Sequence, residues 1–370
     1  MFYYDKLGPV PQAIVRVNDS AGTPVLDATT NESGEYVLGP LPLGDYQLLV
    51  SKEDDSYQAI NVLDVSDILQ HLVGYIALSQ DQQRTADVSG NNRVGTTDAS
   101  LLLRFLVELE TSFPAGPFWQ FQPAEPIFSL LEDKIQNFTS FLIGDVNGDW
   151  EAVTPVFKVV AASPPTLNFL ELPFAPRGTA ALVLSGESLV AVRGGILKLI
   201  YDPEAMEIEE VTSLGLMDNF LVAVNLDYPG EIKVAFAGAD AVEGSGDLLY
   251  LNFKERGLHG TTTTIEVQSA SLNGTQLSPR SLASRIHTLG GTLNDLNTAI
   301  EQSHTDLPAS NQLGRNYPNP FNSSTAIQYQ IVESGLVGLD IFDLGGQKVK
   351  VLADKFQVRW IIRNFLGWNG

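Results

Sequence analysis

The chain has 370 residues, with 44 acidic against 22 basic side chains, a net charge of −22, 44 % hydrophobic residues and no cysteine. That length admits two or more domains, and the strongly negative surface repels phosphate backbones and anionic lipid, which argues against nucleic acid as a partner. The lack of cysteine excludes disulfides, thiolate catalysis and cysteine-ligated zinc, so small modules of an exported chain need another staple, such as a metal ion.

No run of about 18 apolar residues occurs, so no transmembrane segment is expected. The opening MFYYDKLGPVPQ lacks the basic start and apolar stretch of a signal peptide. That leaves either an intracellular protein or a missing true N-terminus. Residues 9 to 50 then read as strands and turns: QAIVRV, GEYVLG and DYQLLV cluster or alternate β-formers, with Gly, Pro and Asn-Asp between them. Through GEY at Gly34–Tyr36 and LPLGDYQL at 41 to 48, residues 1–51 resemble the prealbumin-like sandwich of carboxypeptidase regulatory-like and collagen-adhesin repeats. Such domains begin one strand earlier, which implies N-terminal truncation.

An internal repeat follows. NVLDVSDILQHLVG, from Asn61, and GTTDASLLLRFLVE, from Gly95, align with an offset of 34 residues. Val65, Ile68, Leu69, Leu72 and Val73 in the first copy fall at i, i+3, i+4, i+7 and i+8. So do Ala99, Leu102, Leu103, Leu106 and Val107 in the second, and each set predicts one helix face. Before the second helix, Asp87, Ser89, Asn91, Arg93, Gly95 and Asp98 occupy positions one, three, five, seven, nine and twelve of a polar loop.

Calcium takes six to eight oxygens at about 2.3–2.6 Å, and alternate residues of a twelve-residue loop can supply them. Asp87 would give a carboxylate, Ser89 a hydroxyl, Asn91 an amide oxygen, Arg93 its carbonyl and Gly95 a water-mediated contact. Asp98 would close the shell. Asn92 stands at the sharp sixth position, where Asn tolerates the left-handed region. The alternative is a polar turn in which Asp98 only caps a helix. LSQDQQRT before the loop carries no helical stripe, so an ordinary helix-loop-helix site is not expected.

A calcium loop followed by one helix, in tandem, resembles the dockerin pattern over residues 53–108, within a module expected at 52–112. The resemblance implies a protein partner met by Thr96, Thr97 and Arg104 in the second copy, and by Val62 and Leu63 in the first. The first loop is poorer. Counting back from Asp64 at position twelve puts Glu53, Asp55, Tyr57 and Asn61 at one, three, five and nine. Asp145, Asn147 and Asp149 repeat the one-three-five spacing within 113–156, but their twelfth position is Val156. This segment reads as a connection whose half-loop could fold back and complete the first site near Asp64. Phe118, Trp119 and Phe121 within it read as local core.

Residues 157–275 hold short strands at about ten-residue spacing, which suggests a sandwich. GSGD at 244 to 247 reads as a β-turn. Through YDP, KVAFAG and GSGDLLYLNFK the stretch resembles a cohesin-type domain. Residues 276–311 read as a linker. QLGRNYPNPFNSSTAIQYQIVESGLVGLDIFDLGGQKVKVL, at the start of 312–370, resembles the sorting domain of the bacterial type IX secretion system. FQVRWIIRNFLGWNG departs from that family, so its final strands are expected to be absent and the sorting domain incomplete.

No nucleophile elbow, P-loop or HExxH occurs, and His71, His259, His287 and His304 stand apart in sequence. Adjacent acids such as Glu209–Glu210 are expected by chance among 44. The expected fold is therefore mainly β, with multidomain sandwiches and one small α-helical dockerin-like calcium module. The expected protein is secreted or on the cell surface and non-catalytic. It would bind Ca²⁺ and a protein partner or polysaccharide, and meet the type IX secretion machinery. The alternative is a carbohydrate-binding accessory region of a larger secreted hydrolase.

Overall fold

A computed structural model describes residues 1–5, 8–53, 59–152, 165–171, 178–258, 260–289, 311–313, 324–330, 335–342, 345, 347–357 and 361–367. They divide into two units, Met1–Gly291 and Thr292–Gly370, and the described parts are mainly β.

The first unit opens with β1 (Phe2–Tyr3), β2 (Ile14–Asp19), β3 (Pro24–Thr29) and β4 (Gly44–Ser51). In β2 the alternation is literal: Val15 and Val17 are buried, while Ile14 and Arg16 face out. Three helices follow, α1 (Val62–Leu72), α2 (Gln80–Ala86) and α3 (Thr96–Leu106), and then β5 (Trp119–Gln122), β6 (Ile127–Leu130) and β7 (Thr139–Leu142). β6 pairs with β4 in a sheet of order β3-β2-β4-β6, and β5 and β7 form a second sheet with β1. Both sheets share one core, including Tyr3, Val15, Val17, Leu48, Trp119, Phe121 and Phe141. Strands expected to lie in a connecting segment thus complete the N-terminal sandwich, and the helices are an insertion in it. Burial supplies the reason: Trp119 and Phe121 sit two apart in β5 and share one face of the strand.

α1 and α3 follow the predicted stripes. Val65, Ile68, Ala99, Leu102, Leu103 and Val107 are fully buried, whereas Leu72 and Val73 at the end of the first stripe are exposed. The polar helix α2 was not expected. It begins at a reciprocal cap: Gln82 N donates to Ser79 Oγ (3.2 Å) and Ser79 N donates to Gln82 Oε1 (3.0 Å).

The next sandwich is built from β8 (Thr166–Glu171), β9 (Thr179–Tyr201), β10 (Met206–Ser213), β11 (Leu221–Asn225), β12 (Glu231–Glu255), β13 (Thr262–Leu272), β14 (Thr275–Gln276) and β15 (Ser284–Thr288). β9 and β12 are long and pass through both layers. The first half of β9 pairs with β8 and the last half of β12; its second half pairs with β13 and the first half of β12. β12 bends at bulges between Ala237 and Gly246. GSGD therefore lies inside a strand, at the place where it changes layers. Leu182, Leu184, Leu197, Val234, Phe236, Leu251, Phe253 and Val267 fill the core between the layers. β15 pairs with β13, so a strand occurs within the stretch read as linker.

α1 and α3 lie on the outer face of this sandwich. Ala235, Ala237, Ile196, Leu221 and Ala223 join the apolar cluster of the helices. At Gly194 the approach is closest: a Cβ there would stand 2.8 Å from Val62 Cβ and 2.7 Å from the Phe236 carbonyl oxygen.

In the second unit β16 (Gln312–Leu313), β17 (Ser324–Gln330) and β20 (Ile361–Gly367) form one sheet, and β18 (Gly335–Phe342) pairs with β19 (Lys348–Gln357). Residues 361–367, within the stretch that departs from the sorting family, form a strand against β17.

The Gly194 contact yields a stability test. Gly194→Val forces α1 off the face or strains β9, and overpacking of this kind costs about 1–3 kcal/mol. Thermal denaturation should show a lowered Tm, and an unchanged Tm would mean that Val62 does not seat there.

Candidate metal centre

The second-copy loop closes on itself. Asp87 Oδ1 accepts from Asn91 N (3.0 Å) and Ser89 Oγ (3.2 Å), and Asp87 Oδ2 accepts from Asn92 N (2.6 Å). Asp98 reaches back from the first turn of α3. Its Oδ1 accepts from Ser89 N (2.9 Å) and its Oδ2 from Gly95 N (2.8 Å). Arg93 N donates to Asn91 Oδ1 (2.8 Å). Asn92 has φ +63°, the left-handed conformation expected of position six. Asp98 is fully buried and Val94 packs against the helix core.

The first-copy loop is completed from elsewhere in the chain. Asp55 lies outside the described residues, and Glu53 is exposed. The turn at 145–150 meets Asp64. Asp64 Oδ2 accepts from Asn61 N (2.8 Å), and Asp64 Oδ1 accepts from Val146 N (2.7 Å) and Asn147 N (3.1 Å). Asp145 Oδ1 accepts from Asp149 N (3.1 Å) and Asp145 Oδ2 from Trp150 N (2.9 Å). Asn61 Nδ2 donates to Asp149 Oδ2 (3.3 Å), and Asp149 N also donates to Asn147 Oδ1 (2.9 Å).

The two arrangements share their amide-to-carboxylate contacts at several positions, but position six differs, since Asn92 has φ +63° and Trp150 has no positive φ, and Asp64 alone also accepts from the second residue, Val146. The position-one carboxylate receives the amides of positions five and six: Asp87 from Asn91 and Asn92, Asp145 from Asp149 and Trp150. The position-twelve carboxylate receives the amides of positions three and nine: Asp98 from Ser89 and Gly95, Asp64 from Asn147 and Asn61. The fourth residues, Gly90 and Gly148, share positive φ values of +70° and +67°. A Cβ on Gly148 would also stand 2.5 Å from Asp5 Cβ. Residues 145–150 thus lie against residues 61–64, joined through Asp64 and Asn61.

This second arrangement is the more deeply buried of the two. Asp64 and Asp145 are both fully buried. Burial, together with the neighbouring Asp145 charge, pushes the Asp64 carboxyl well above the usual range. Burial also pushes Asp145 up to about 6, against the hydrogen bond from Tyr3 that draws it down. Tyr3 Oη donates to Asp145 Oδ2 (2.6 Å), and Tyr4 Oη donates to the carbonyls of Asp145 (2.9 Å) and Val146 (3.1 Å). Sequence reasoning missed both tyrosines, because β1 meets this turn from more than 140 positions away.

Among the described residues, no three His, Cys, Asp or Glu side chains gather into a metal cage. The available donors are two or three carboxylates per loop with amide, hydroxyl and backbone oxygens. That all-oxygen set fits a hard cation such as calcium better than zinc.

The chain matches no protein family and no curated relative. Among solved structures it is similar to a cohesin module of a family 33 glycoside hydrolase from Clostridium perfringens, at 18 % identity and TM-score 0.28. That match covers 34 % of this chain and 97 % of the other. It is also similar to a non-cellulosomal cohesin from Archaeoglobus fulgidus, at 16 % identity and TM-score 0.31, over 38 % and 99 % of the two chains. A third is the sixth cohesin of Acetivibrio cellulolyticus scaffoldin B, solved with a dockerin, at 13 % identity and TM-score 0.29, over 33 % and 97 %. The sandwich of β8–β15 rests on its own strand pairing, independently of these likenesses.

The buried carboxylates predict a pH dependence for the chelator-treated protein. Their folded-state pKa values are raised, so their stabilising contribution is fully present below about pH 4, near the unfolded value. It is lost as pH rises through about 6, the folded value of Asp145. In excess chelator the Tm should therefore fall between pH 4 and pH 7, before other groups are considered, and Asp145→Asn should flatten that fall. An identical slope in the variant would contradict the assignment.

Proposed function

We propose that this chain is a non-catalytic, calcium-clamped docking protein of the cell surface. In this reading a dockerin-like helix pair is held by two calcium ions and seated on the chain's own cohesin-like sandwich. The shared amide-to-carboxylate contacts of the continuous loop at 87–98 and of the residues at 61–64 and 145–150 carry the proposal. A polar turn that only caps a helix accounts for Asp98. It does not account for a second turn arriving from a different domain with the same amide-to-carboxylate pattern.

Asp87, Ser89, Asn91, Asp98 and the Arg93 carbonyl would hold one ion, with a water on Gly95. Asp145, Asn147, Asp149 and Asp64 would hold the other, beside Asn61. The ions would neutralise carboxylates that otherwise repel, which links the helices to the N-terminal sandwich in a chain without disulfides. Few formal charges serve each loop, so affinities on the order of 10⁻⁴–10⁻³ M suit an extracellular module. The pattern-level resemblances to a prealbumin-like domain and a type IX sorting domain support export to the surface. The cohesin and dockerin resemblances support work in protein docking, linked to polysaccharide binding or degradation.

Isothermal titration of the chelated chain with calcium tests the clamp. Two sites per chain are expected. Asp98→Ala should leave one, Asp145→Ala should leave the other, and helical circular dichroism should rise on calcium addition. Absence of heat and of any helical change up to 10 mM calcium would overturn the reading.

A further inference from the structure

We propose that the cleft formed by α2, the loop before α3 and β5 binds a short acidic saccharide through its carboxylate, with Arg84 as the anchor. The inference rests on the polysaccharide link of the reading above, and on neither the calcium clamp nor the docked helices.

The cleft has a volume of about 550 Å³, within the range of small-molecule sites. Gln80, Gln83 and Arg84 of α2 line it, together with Gln120 and Gln122 of β5 and Arg93 of the loop. It lies where the helical insertion meets the N-terminal sandwich.

Arg84 is the group that calls for a ligand. It is half-buried, and its guanidinium carbon stands 4.6 Å from the centre of the Phe141 ring. Nη2 donates to Gln120 Oε1 at 3.4 Å, and the rest of the N–H fork is unused. Gln120 is itself held, since its Nε2 donates to the Ala115 carbonyl (3.3 Å). Arg16, Arg104, Arg193 and Arg256 each pair with a carboxylate of the chain. Among the described residues Arg84 and Arg93 pair with none, although acids outnumber bases 44 to 22. A partly desolvated guanidinium, fixed in place with its fork open, suits a carboxylate from outside the chain. Two acids also line the cleft. Asp87 is engaged by its own loop, and Asp81 is exposed in the first turn of α2.

The remaining wall selects the rest of the ligand. The side-chain amides of Gln80 and Gln122 bond to no protein group among the described residues. Gln83 Nε2 donates to the Leu78 carbonyl (2.8 Å), which leaves its Oε1 as an acceptor. Amides both donate and accept, as sugar hydroxyls do. Among the described residues no aromatic ring lines the cleft, and Arg84 covers Phe141. A neutral sugar would therefore find no stacking platform, and an apolar ligand would strand the amides and the guanidinium. A hydroxylated ring that bears a carboxylate, as in a uronic acid, satisfies both sets of groups.

Isothermal titration of the full chain in millimolar calcium tests this. The probes are trigalacturonic acid, galactotriose as its neutral counterpart and triglutamate as an acidic peptide, each corrected for its heat of dilution into the same buffer. Trigalacturonic acid should bind saturably, and the other two at least about tenfold more weakly. Arg84→Gln should weaken trigalacturonic acid at least about tenfold, and Arg84→Lys, which keeps the charge but not the fork, by less. Should Arg84→Gln fail to fold, Arg93→Gln and Gln122→Ala, both at exposed positions, carry the test, and each should weaken binding severalfold. Absence of saturable heat, equal binding of galactotriose or unchanged affinity in the variants would overturn the proposal. Triglutamate binding as tightly would also overturn it and make an acidic peptide the ligand. The calcium titration above reads the clamp separately, so either reading can fail alone.

Discussion

The carboxylate of Asp64 is the point on which the first unit turns. It caps its own helix through Asn61 N and holds the backbone of Val146 and Asn147 from another domain. Through that side chain, together with the Asn61–Asp149 hydrogen bond, the start of α1 is fixed to the turn that follows β7. Asp145 returns the link by accepting from Tyr3 of β1. Two carboxylates buried at one joint are costly as bare charges, and in the proposed reading a shared cation would convert the cost into cohesion.

Geometry at that joint sets the rest. α1 leaves it with Val62 against Gly194, Ser66 and Gln70 against β12, and Asp67 against Arg193. α3 leaves the second loop and ends where Asn225 Nδ2 donates to the Val107 carbonyl and Glu108 meets Lys233. Each helix thus runs from a carboxylate-centred loop at its start to polar contacts with the sandwich beyond. A change in either loop would be felt at the sandwich face through a rigid helix of about three turns. First-copy residues that the dockerin resemblance assigns to a partner are partly used within the chain. Val62 is buried against the sandwich, whereas Thr96 and Thr97 stay exposed and Arg104 pairs with Glu110.

Features encoded locally were legible in the sequence. The period of the two apolar stripes and the one-three-five-twelve spacing each depend on neighbours within a dozen residues, and the 34-residue repeat shows on comparing the two local patterns. The meeting of the 145–150 turn with Asp64 was legible in part: DVNGD read as a half-loop, and the weak ligand Tyr57 suggested where it could fold back. Other features depended on partners far away. α2 carries no apolar stripe and owes its start to a Ser79–Gln82 cap. β5–β7 read as a connection because their pairing partners lie before the helices. The alanines of β11 and β12 signal little by themselves, since a small residue in a strand acquires meaning only when a helix lies on it. GSGD carries the composition of a turn, yet β12 uses it to bend between layers.

The central claim is that one calcium ion bridges Asp64 and Asp145, which lie in two different segments of the chain. Crystals grown in calcium, with anomalous diffraction collected at long wavelength, address it most directly. The account predicts two anomalous peaks, one bounded by Asp87 and Asp98 and one by Asp64 and Asp145, each with oxygen ligands at about 2.3–2.6 Å. A peak at the continuous loop alone, with Asp64 and Asp145 still joined only through backbone amides, would contradict it.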